Sequence, residues 1–364
     1  MRRTSFYITV ILSVGLVSCS SVTSNSEEGN IGRVECEGGN WLVPCQQVVD
    51  GGPGVDGIPS IDAPKFSNVQ DVEFLEDWEL VLGVKVGDQI KAYPHVILYY
   101  HEIVNDIIDD LPIAVTFCPL TGSGIGWNRE IEGDITEFGV SGLIHKNNLI
   151  PYDRKTGSRW SQMLGKSING EMIGTDIDKV QIIELTWGVW KDAFPGSKVL
   201  NTNTGFERNY EKYLYGEDYS DDNSRILFPI YHPDERLEAK TLVHGIVSGS
   251  VSKVYPIDIF ESGIQVINDE FEGQKIMMAG NAEFELVVSY NRTLTDGTIL
   301  EFEGSQKNFP VIATDQEGNV WDVFGEAIEG PRKGEKLQPT GGYNAYWFAW
   351  ADFFNFPQIF RSNN

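Results

Sequence analysis

"VKVGDQIKAYPHVILYYHEIVNDIIDDLPIAV" (84–115) decides the fold, because the chain carries a second version of it. Set beneath it, "VSGSVSKVYPIDIFESGIQVINDEFEGQKIMM" (247–278) repeats Lys-x-Tyr-Pro and then Asn-Asp in the same order. Between the pairs Lys91/Lys253 and Asn105/Asn268 the spacing drifts by a single residue. The match continues downstream: "WNREIEGDITEFGVSG" (127–142) lies over "YNRTLTDGTILEFEGS" (290–305), and "YDRKTGSRWSQMLGKSING" (152–170) over "TDQEGNVWDVFGEAIEG" (314–330). Finally "WGVWKDAF" (187–194) meets "WFAWADFF" (347–354). Matches that keep their order over so long a span indicate a duplication. Two long copies imply two related subdomains rather than a solenoid, which stacks three or more short units.

Each copy reads mostly as strands. "VLGVKVGDQIKAYP" alternates on either side of Gly87-Asp88, "EIVNDIIDDLPIAVTF" turns at Asp109-Asp110, and "WNREIEGDITEFGV" turns at Gly133-Asp134. Three successive hairpin signals specify antiparallel sheet. "IELTWGVWKDAF" and "YNAYWFAWADFF" place aromatics three and four residues apart, which is the spacing of one apolar helix face. The expected fold is therefore mainly β, a β-rich α+β protein of two duplicated antiparallel subdomains, each closed by its Trp-rich C-terminal helix. The expected order is a signal peptide (1–18), a flexible tether (19–35), an N-terminal segment (36–79), a first repeat (80–200), a connecting loop (201–241) and a second repeat (242–360).

The beginning of the chain sets the compartment. Arg2 and Arg3 precede the apolar stretch "FYITVILSVGLV" and then "LVSC", and the apolar run is short for a membrane span. This resembles a bacterial lipoprotein signal, which implies lipid on Cys19, and Ser20 beside it implies the outer membrane of a Gram-negative envelope. Two or more acyl chains anchor a protein firmly, whereas one does so only marginally. The next residues, "SSVTSNSEEGN", are polar and lack aromatics, as a tether does. The formal charge is −25, and loss of Arg2 and Arg3 with the signal makes the chain more acidic still. Such a surface repels phosphate backbones, so nucleic acid is not an expected partner.

With Cys19 assigned to lipid, Cys36, Cys45 and Cys118 remain. "CEGGNWLVPC" closes a short glycine-containing loop, and an oxidising compartment favours a disulfide between Cys36 and Cys45. A two-thiol metal site is the competing reading, although the stretch offers no further ligands. Cys118, in "TFCPLTGSGIGW" (116–127), is then the odd thiol.

The segments "GGPGVDGIPSIDAPKF", "AYPHVILYYHEIVND", "VTFCPLTGSGIGW" and "FGVSGLIHKNNLIPYDRKTGSRWSQMLG", with the Trp-rich end, resemble the family catalogued as domain of unknown function 3179. The resemblance runs from about Pro44 to Phe356. It implies extracytoplasmic or membrane-attached bacterial and archaeal proteins, and no biochemical role. Many relatives carry Cys-Pro-Leu-Cys where this chain has Thr121 as the fourth residue, so a two-thiol motif is incomplete here.

The duplication acts as an internal control on the site. Asn281 stands in the second copy where Cys118 stands in the first, His95 gives way to Ile257 or its neighbour, and His101 to Gly263 or Ile264. His145 has no counterpart. The polar set His101, Glu102, Cys118, Thr121, His145, Arg154 and Gln162 thus belongs to the first repeat alone, which marks that repeat as the place of any site. Drift of surface residues after duplication is the rival explanation.

A thiolate with two imidazoles, Cys118 with His101 and His145, suits copper or zinc. A cysteine hydrolase would use Cys118 as nucleophile, with His101 or His145 as base, Glu102 or Asp106 to orient it, and Arg154 with the "RWSQ" strand (159–162) as a wall. His101 and Cys118 are expected on neighbouring strands, where a one-residue slip decides whether they share a face. Three functions stay open: an envelope lipoprotein binding a small ligand or soft metal at this Cys/His site, a non-catalytic scaffold or interaction module, and an enzyme using Cys118.

Overall fold

Strand alternation and a shared set of polar ties build the same sheet twice. The computed structural model describes residues 32–361 apart from 34, 35, 37, 38 and 217. The expected signal peptide (1–18), Cys19 and most of the expected tether lie outside the described residues. The tether's end does not stay free. Gly32 and Arg33 pair antiparallel with Asp50 and Val49, because backbone N–H and C=O groups beside an open strand edge gain partners by joining it. Cys36 and Cys45 are joined by a disulfide.

In the first repeat, one sheet runs in the order Ile183–Thr186, Leu80–Val86, Gln89–Pro94, Lys198–Leu200 and Phe66–Asn68. The second repeat orders Tyr343–Tyr346, Leu242–Ser248, Val251–Pro256 and Gln358–Ile359 in the same way. In both sheets the fourth strand is parallel to the third. A three-strand meander follows in each copy: Ile103–Ile108, Leu111–Cys118 and Ser123–Asn128 against Gln265–Phe271, Gln274–Asn281 and Leu286–Asn291. A further four-strand run begins at Phe138–His145 in one copy and at Phe302–Gly304 in the other.

The residues that recur in the sequence make recurring contacts. Asp106 accepts from Lys91 Nζ at 2.8 Å and Tyr93 Oη at 2.6 Å, and Asp269 accepts from Lys253 and Tyr255 at 2.5 and 2.6 Å. Asn105 exchanges two hydrogen bonds with the backbone of Phe138, as Asn268 does with that of Phe302. Arg129 and Arg292 each donate from Nε to the preceding strand, to the carbonyls of Ile113 and Ile276. These side chains close backbone groups that a strand edge would otherwise bury unpaired.

The copies differ after the Tyr-Pro. In the first, Pro94 caps the helix α1 (His95–His101); in the second, Pro256 leads only into a 3-10 turn, Ile257–Ile259. The sequence reading placed no helix at "HVILYYH", whose aromatic and β-branched content favours a strand. Packing overrides that preference: His95, Val96, Ile97, Leu98 and His101 are all buried.

The Trp-rich segments form α2 (Trp187–Ala193) and α3 (Trp347–Phe353). Each lies on its own sheet at a glycine, yet each shares its core with the other repeat. Trp347 and Trp350 are buried in one cluster with Trp127, Phe138 and Trp160 of the first repeat. Trp187 and Trp190 are buried with Tyr290, Phe302 and Trp321 of the second. A helix expected to close its own copy therefore helps to close the partner copy. Contacts of this kind leave the chain from Gly32 onward as one compact unit. Among the described residues, the connection 201–241 holds neither strand nor helix. It is fixed by side chains: Tyr210 Oη lies 2.7 Å from His101 Nε2, and Asp352 accepts from the N–H groups of Tyr231 and His232.

A Cβ placed on Gly83 would lie 2.0 Å from the ring of Trp190. Gly83→Ala is expected to destabilise the fold by about 1–3 kcal/mol, the usual range for overpacking, when measured by denaturant unfolding. Unchanged stability would mean that α2 can shift away from its sheet at no cost.

Candidate functional site

Cys118 ends the strand Leu111–Cys118 and pairs with Ser123 across a tight turn. Gly122 in that turn has φ +60°, and a Cβ there would meet the ring of Tyr346 at 2.9 Å. The thiol is free and only 1 % exposed, with Sγ 3.6 Å from the carbonyl oxygen of Asn147, to which it donates. Burial, reinforced by the Glu102 carboxyl, pushes it up to about 11, against the opposing pull of the Thr121 hydroxyl and nearby N–H groups. At neutral pH the group is a thiol rather than a nucleophilic thiolate. Thr121 and Gln162 serve a different purpose. Asn148 donates to Thr121 Oγ1 at 3.0 Å and to Gln162 Oε1 at 2.7 Å, and Gln162 donates to Thr116 Oγ1 at 3.0 Å. This buried network is saturated, so it fixes the strands and leaves no donor for a ligand.

The other sequence candidates are dispersed. His101 ends α1 instead of lying on a strand, and its ring is engaged at both nitrogens, by the Pro59 carbonyl and Tyr210 Oη, each at 2.7 Å. Glu102 caps that helix at φ +54°, and burial raises its carboxyl to about 8. It is the one candidate whose charge reaches Cys118. His145 packs edge-on against Phe353, with Nε2 3.4 Å from Gln47 Oε1, and burial holds it neutral, with its pKa at about 3. Arg154 is no wall of Cys118. It pairs with Asp62 at 2.5 Å and donates to Ser60 at 2.9 Å, pinning segment 56–62 to the sheet. Among the described residues, no group of three or more His, Cys, Asp or Glu side chains is arranged to hold a metal ion. Cys118, His101 and His145 are thus not gathered into a copper or zinc set.

What Cys118 does have is a neighbouring cleft. Phe117 and Pro119, on either side of it in sequence, line a cleft of about 790 Å³. Helix α1 supplies His95 and Tyr99 to this cleft, the strand Ile183–Thr186 supplies Glu184, and the connecting loop supplies Tyr213, Tyr215 and Tyr219. The second repeat closes it with Ile257, Glu285 and Tyr346. At its rim Trp78, 62 % exposed, stacks on Tyr213 with ring centroids 6.0 Å apart.

Two polar groups at the floor of the cleft are unusual. His95 packs its ring 4.2 Å from that of Phe117, its Nε2 is buried with no hydrogen-bond partner, and burial lowers it to about 3. Glu184 Oε1 lies 3.8 Å from that nitrogen. Burial, with the nearby Glu285 carboxylate, raises Glu184 to about 8, against a hydrogen bond from Asn344. Glu184 and Asn344 hold equivalent places in the two copies, "ELTW" and "NAYW". From Asn344 the polar chain continues to His244 Nδ1 at 2.8 Å and from His244 Nε2 to Ser289 Oγ at 2.8 Å. Glu184, His244, Ser289 and Asn344 also line a smaller cavity of about 250 Å³.

The family model described as "Protein of unknown function (DUF3179)" matches residues 55–358. The chain belongs to this family. No curated protein and no solved structure matches it. Every residue that lines the cleft of this DUF3179 protein falls inside the matched span, whereas the Cys36–Cys45 disulfide falls outside it. The sequence shows the loss of His95 in the second copy and a tyrosine-rich connection lying across both units, but it did not place Glu184 or those tyrosines at a site. The replacement of an acid by an amide at one aligned position was the available signal.

Native protein at about pH 7.5 is expected to leave Cys118 unlabelled by iodoacetamide, with labelling only as pH climbs toward the raised thiol pKa or when denaturant is added. Fast labelling of the folded protein at neutral pH would show an activated thiolate and restore Cys118 as a reactive centre.

Proposed function

We propose that this DUF3179 chain is a lipid-anchored protein of the cell envelope that binds a small organic ligand in the cleft floored by His95 and Glu184. The single observation that carries the reading is the unpartnered, buried Nε2 of His95 in a cleft of about 790 Å³. Buried polar atoms are nearly always hydrogen-bonded, and one left without a partner on a side chain that lines a cleft is explained by a group that arrives from outside. The walls support the same reading. A largely apolar, aromatic concavity with a few convergent polar groups is the ordinary form of a small-molecule site.

Attachment rests on the N-terminal sequence, in which Cys19 follows an apolar stretch behind two arginines. The proposed location is the outer membrane of a Gram-negative cell. Cys19→Ser is expected to leave the protein unprocessed or to release it into the soluble fraction. Membrane retention of a correctly processed mutant would remove the lipid anchor from the proposal.

Ligand binding is tested by screening small organic compounds for a rise in melting temperature. A compound present at a hundred times its Kd stabilises the folded state by about 2.7 kcal/mol. Hits are expected to weaken at least tenfold in His95→Ala and Tyr99→Ala. Hits that bind those variants as well as wild type, or a broad screen with none, would count against the cleft.

A further inference from the structure

We propose that the ligand of this cleft is an organic cation, a protonated amine on an apolar body, seated with its ammonium at Glu184 and His95. The inference rests on the cleft being a ligand site and names the chemical class that it takes.

Charge and geometry argue in the same direction. Glu79, Glu184, Asp221, Asp258 and Glu285 line the cleft, and among the described residues that line it Lys240 is the only lysine or arginine. Lys240 is already occupied: its ammonium donates to the Tyr219 carbonyl at 2.6 Å and lies 3.2 Å from the centroid of the Tyr219 ring. It also sits 5.0 Å from the Tyr346 ring, so the protein's own alkylammonium rests on two of the aromatic faces that line this cleft. Cations are drawn to such faces by the ring quadrupole, most strongly when both are desolvated. An anionic ligand would instead meet the carboxylates around the cleft with only one committed cation to offset them.

At the floor, His95 is neutral, and with its proton on Nδ1 its unpartnered Nε2 is an acceptor; the atom is enclosed, so an ammonium reaches it only as the neighbouring side chains shift. Glu184 Oε1 is a second acceptor 3.8 Å away. A single ammonium has N–H groups for both once Glu184 is ionised, whereas an alcohol reaches both only by donating to His95 and accepting from a protonated Glu184, with no gain from charge. The apolar body would then lie against Phe117, Tyr99 and Tyr346, where offset or edge-on contacts are available.

Protonation adds a signature that a merely greasy cleft would lack. Glu184, raised to about 8, carries a proton at neutral pH, and an incoming cation favours its ionised form. Binding near pH 6.5 therefore releases a proton, and affinity rises with pH toward about 8. Tyr99, Tyr215, Tyr219 and Tyr346, all raised by burial, stay un-ionised over this window, and His95 stays neutral throughout it. Glu285 is raised by burial, and Lys240, lowered by burial to about 8, loses positive charge in the same direction as the effect.

The test is calorimetry on the processed, full-length protein with 2-phenylethylamine, 2-phenylethanol and 3-phenylpropionate. The amine is expected to bind at least tenfold more tightly than either of the others, a difference of about 1.4 kcal/mol. Its binding heat at pH 6.5 should differ between buffers of low and high ionisation enthalpy, by the amount that one released proton requires. Glu184→Gln, confirmed as folded by its melting curve, should lose both the preference and the buffer dependence, while Lys240→Met should keep the buffer dependence. Equal binding of amine and alcohol, or tighter binding of the propionate, overturns the cation while leaving the cleft as a binding site. If none of the three binds, a neutral or anionic hit from the broad screen overturns the cation alone, and an empty screen overturns the site with it.

Discussion

Everything in this structure depends on the way the two tryptophan helices are buried. Neither copy of the repeat keeps its core to itself, because Trp347 and Trp350 share a buried cluster with strands of the first copy as well as their own, and Trp187 and Trp190 do so with strands of the second. Large aromatic side chains dominate the apolar area removed from water, so these contacts outweigh those of any single hairpin. The opposite sheet faces behave differently: Leu82, Val84 and Tyr93 pack with Val104, Ile113 and Phe117 of the same copy, and Ile246 and Tyr255 pack with Ile276 and Met278 of theirs. One face of each sheet is local and the other is exchanged.

An exchanged core creates a seam, and the cleft lies along it. Equivalent positions from the two copies face one another there: His95 and Ile257 line the same cleft, and Glu184 touches Asn344. A perfectly symmetric pair would put like beside like, which for two buried acids is costly and for two amides is inert. Substitution in only one copy turns the seam into a polar gradient, from an unpartnered imidazole and a buried acid to a hydrogen-bonded amide, imidazole and hydroxyl. The connecting loop roofs the first end with tyrosines, and its anchors, such as Tyr219 Oη on the Leu120 carbonyl at 2.9 Å, tie that roof to the turn after Cys118.

The fold class was legible in the sequence because the informative residues act locally. Alternation and turn residues at Asp109-Asp110 marked the antiparallel hairpins, and the tryptophan spacing marked α2 and α3. Helix α1 was not legible, since "HVILYYH" has a strand's composition and is helical only because of what it packs on. The site was legible in outline and not in detail. Asymmetry between the copies pointed to the first repeat and to the neighbourhood of Cys118. The named set did not converge, because α1 turns His101 toward Pro59 and Tyr210, and Arg154 belongs to the segment around Asp62. Glu184 was invisible for a simple reason. On a strand it looks like any acid between apolar neighbours, and its burial comes from residues far along the chain, Asn344 among them.

The exchange of core faces also bears on what part of this molecule can exist alone. A chain cut within 201–241 would yield two pieces, each with a finished inner layer and one naked aromatic layer. Neither piece is a domain in the sense of a unit with its own complete interior. Each is shaped to seek the other, or a second copy of itself, since the copies share strand order and present related surfaces. Covalent continuity through the loop raises the effective concentration of the correct partner far above that of a stranger. The tyrosine-rich connection that roofs the cleft is thus also the covalent link that keeps the two aromatic layers within reach of one another.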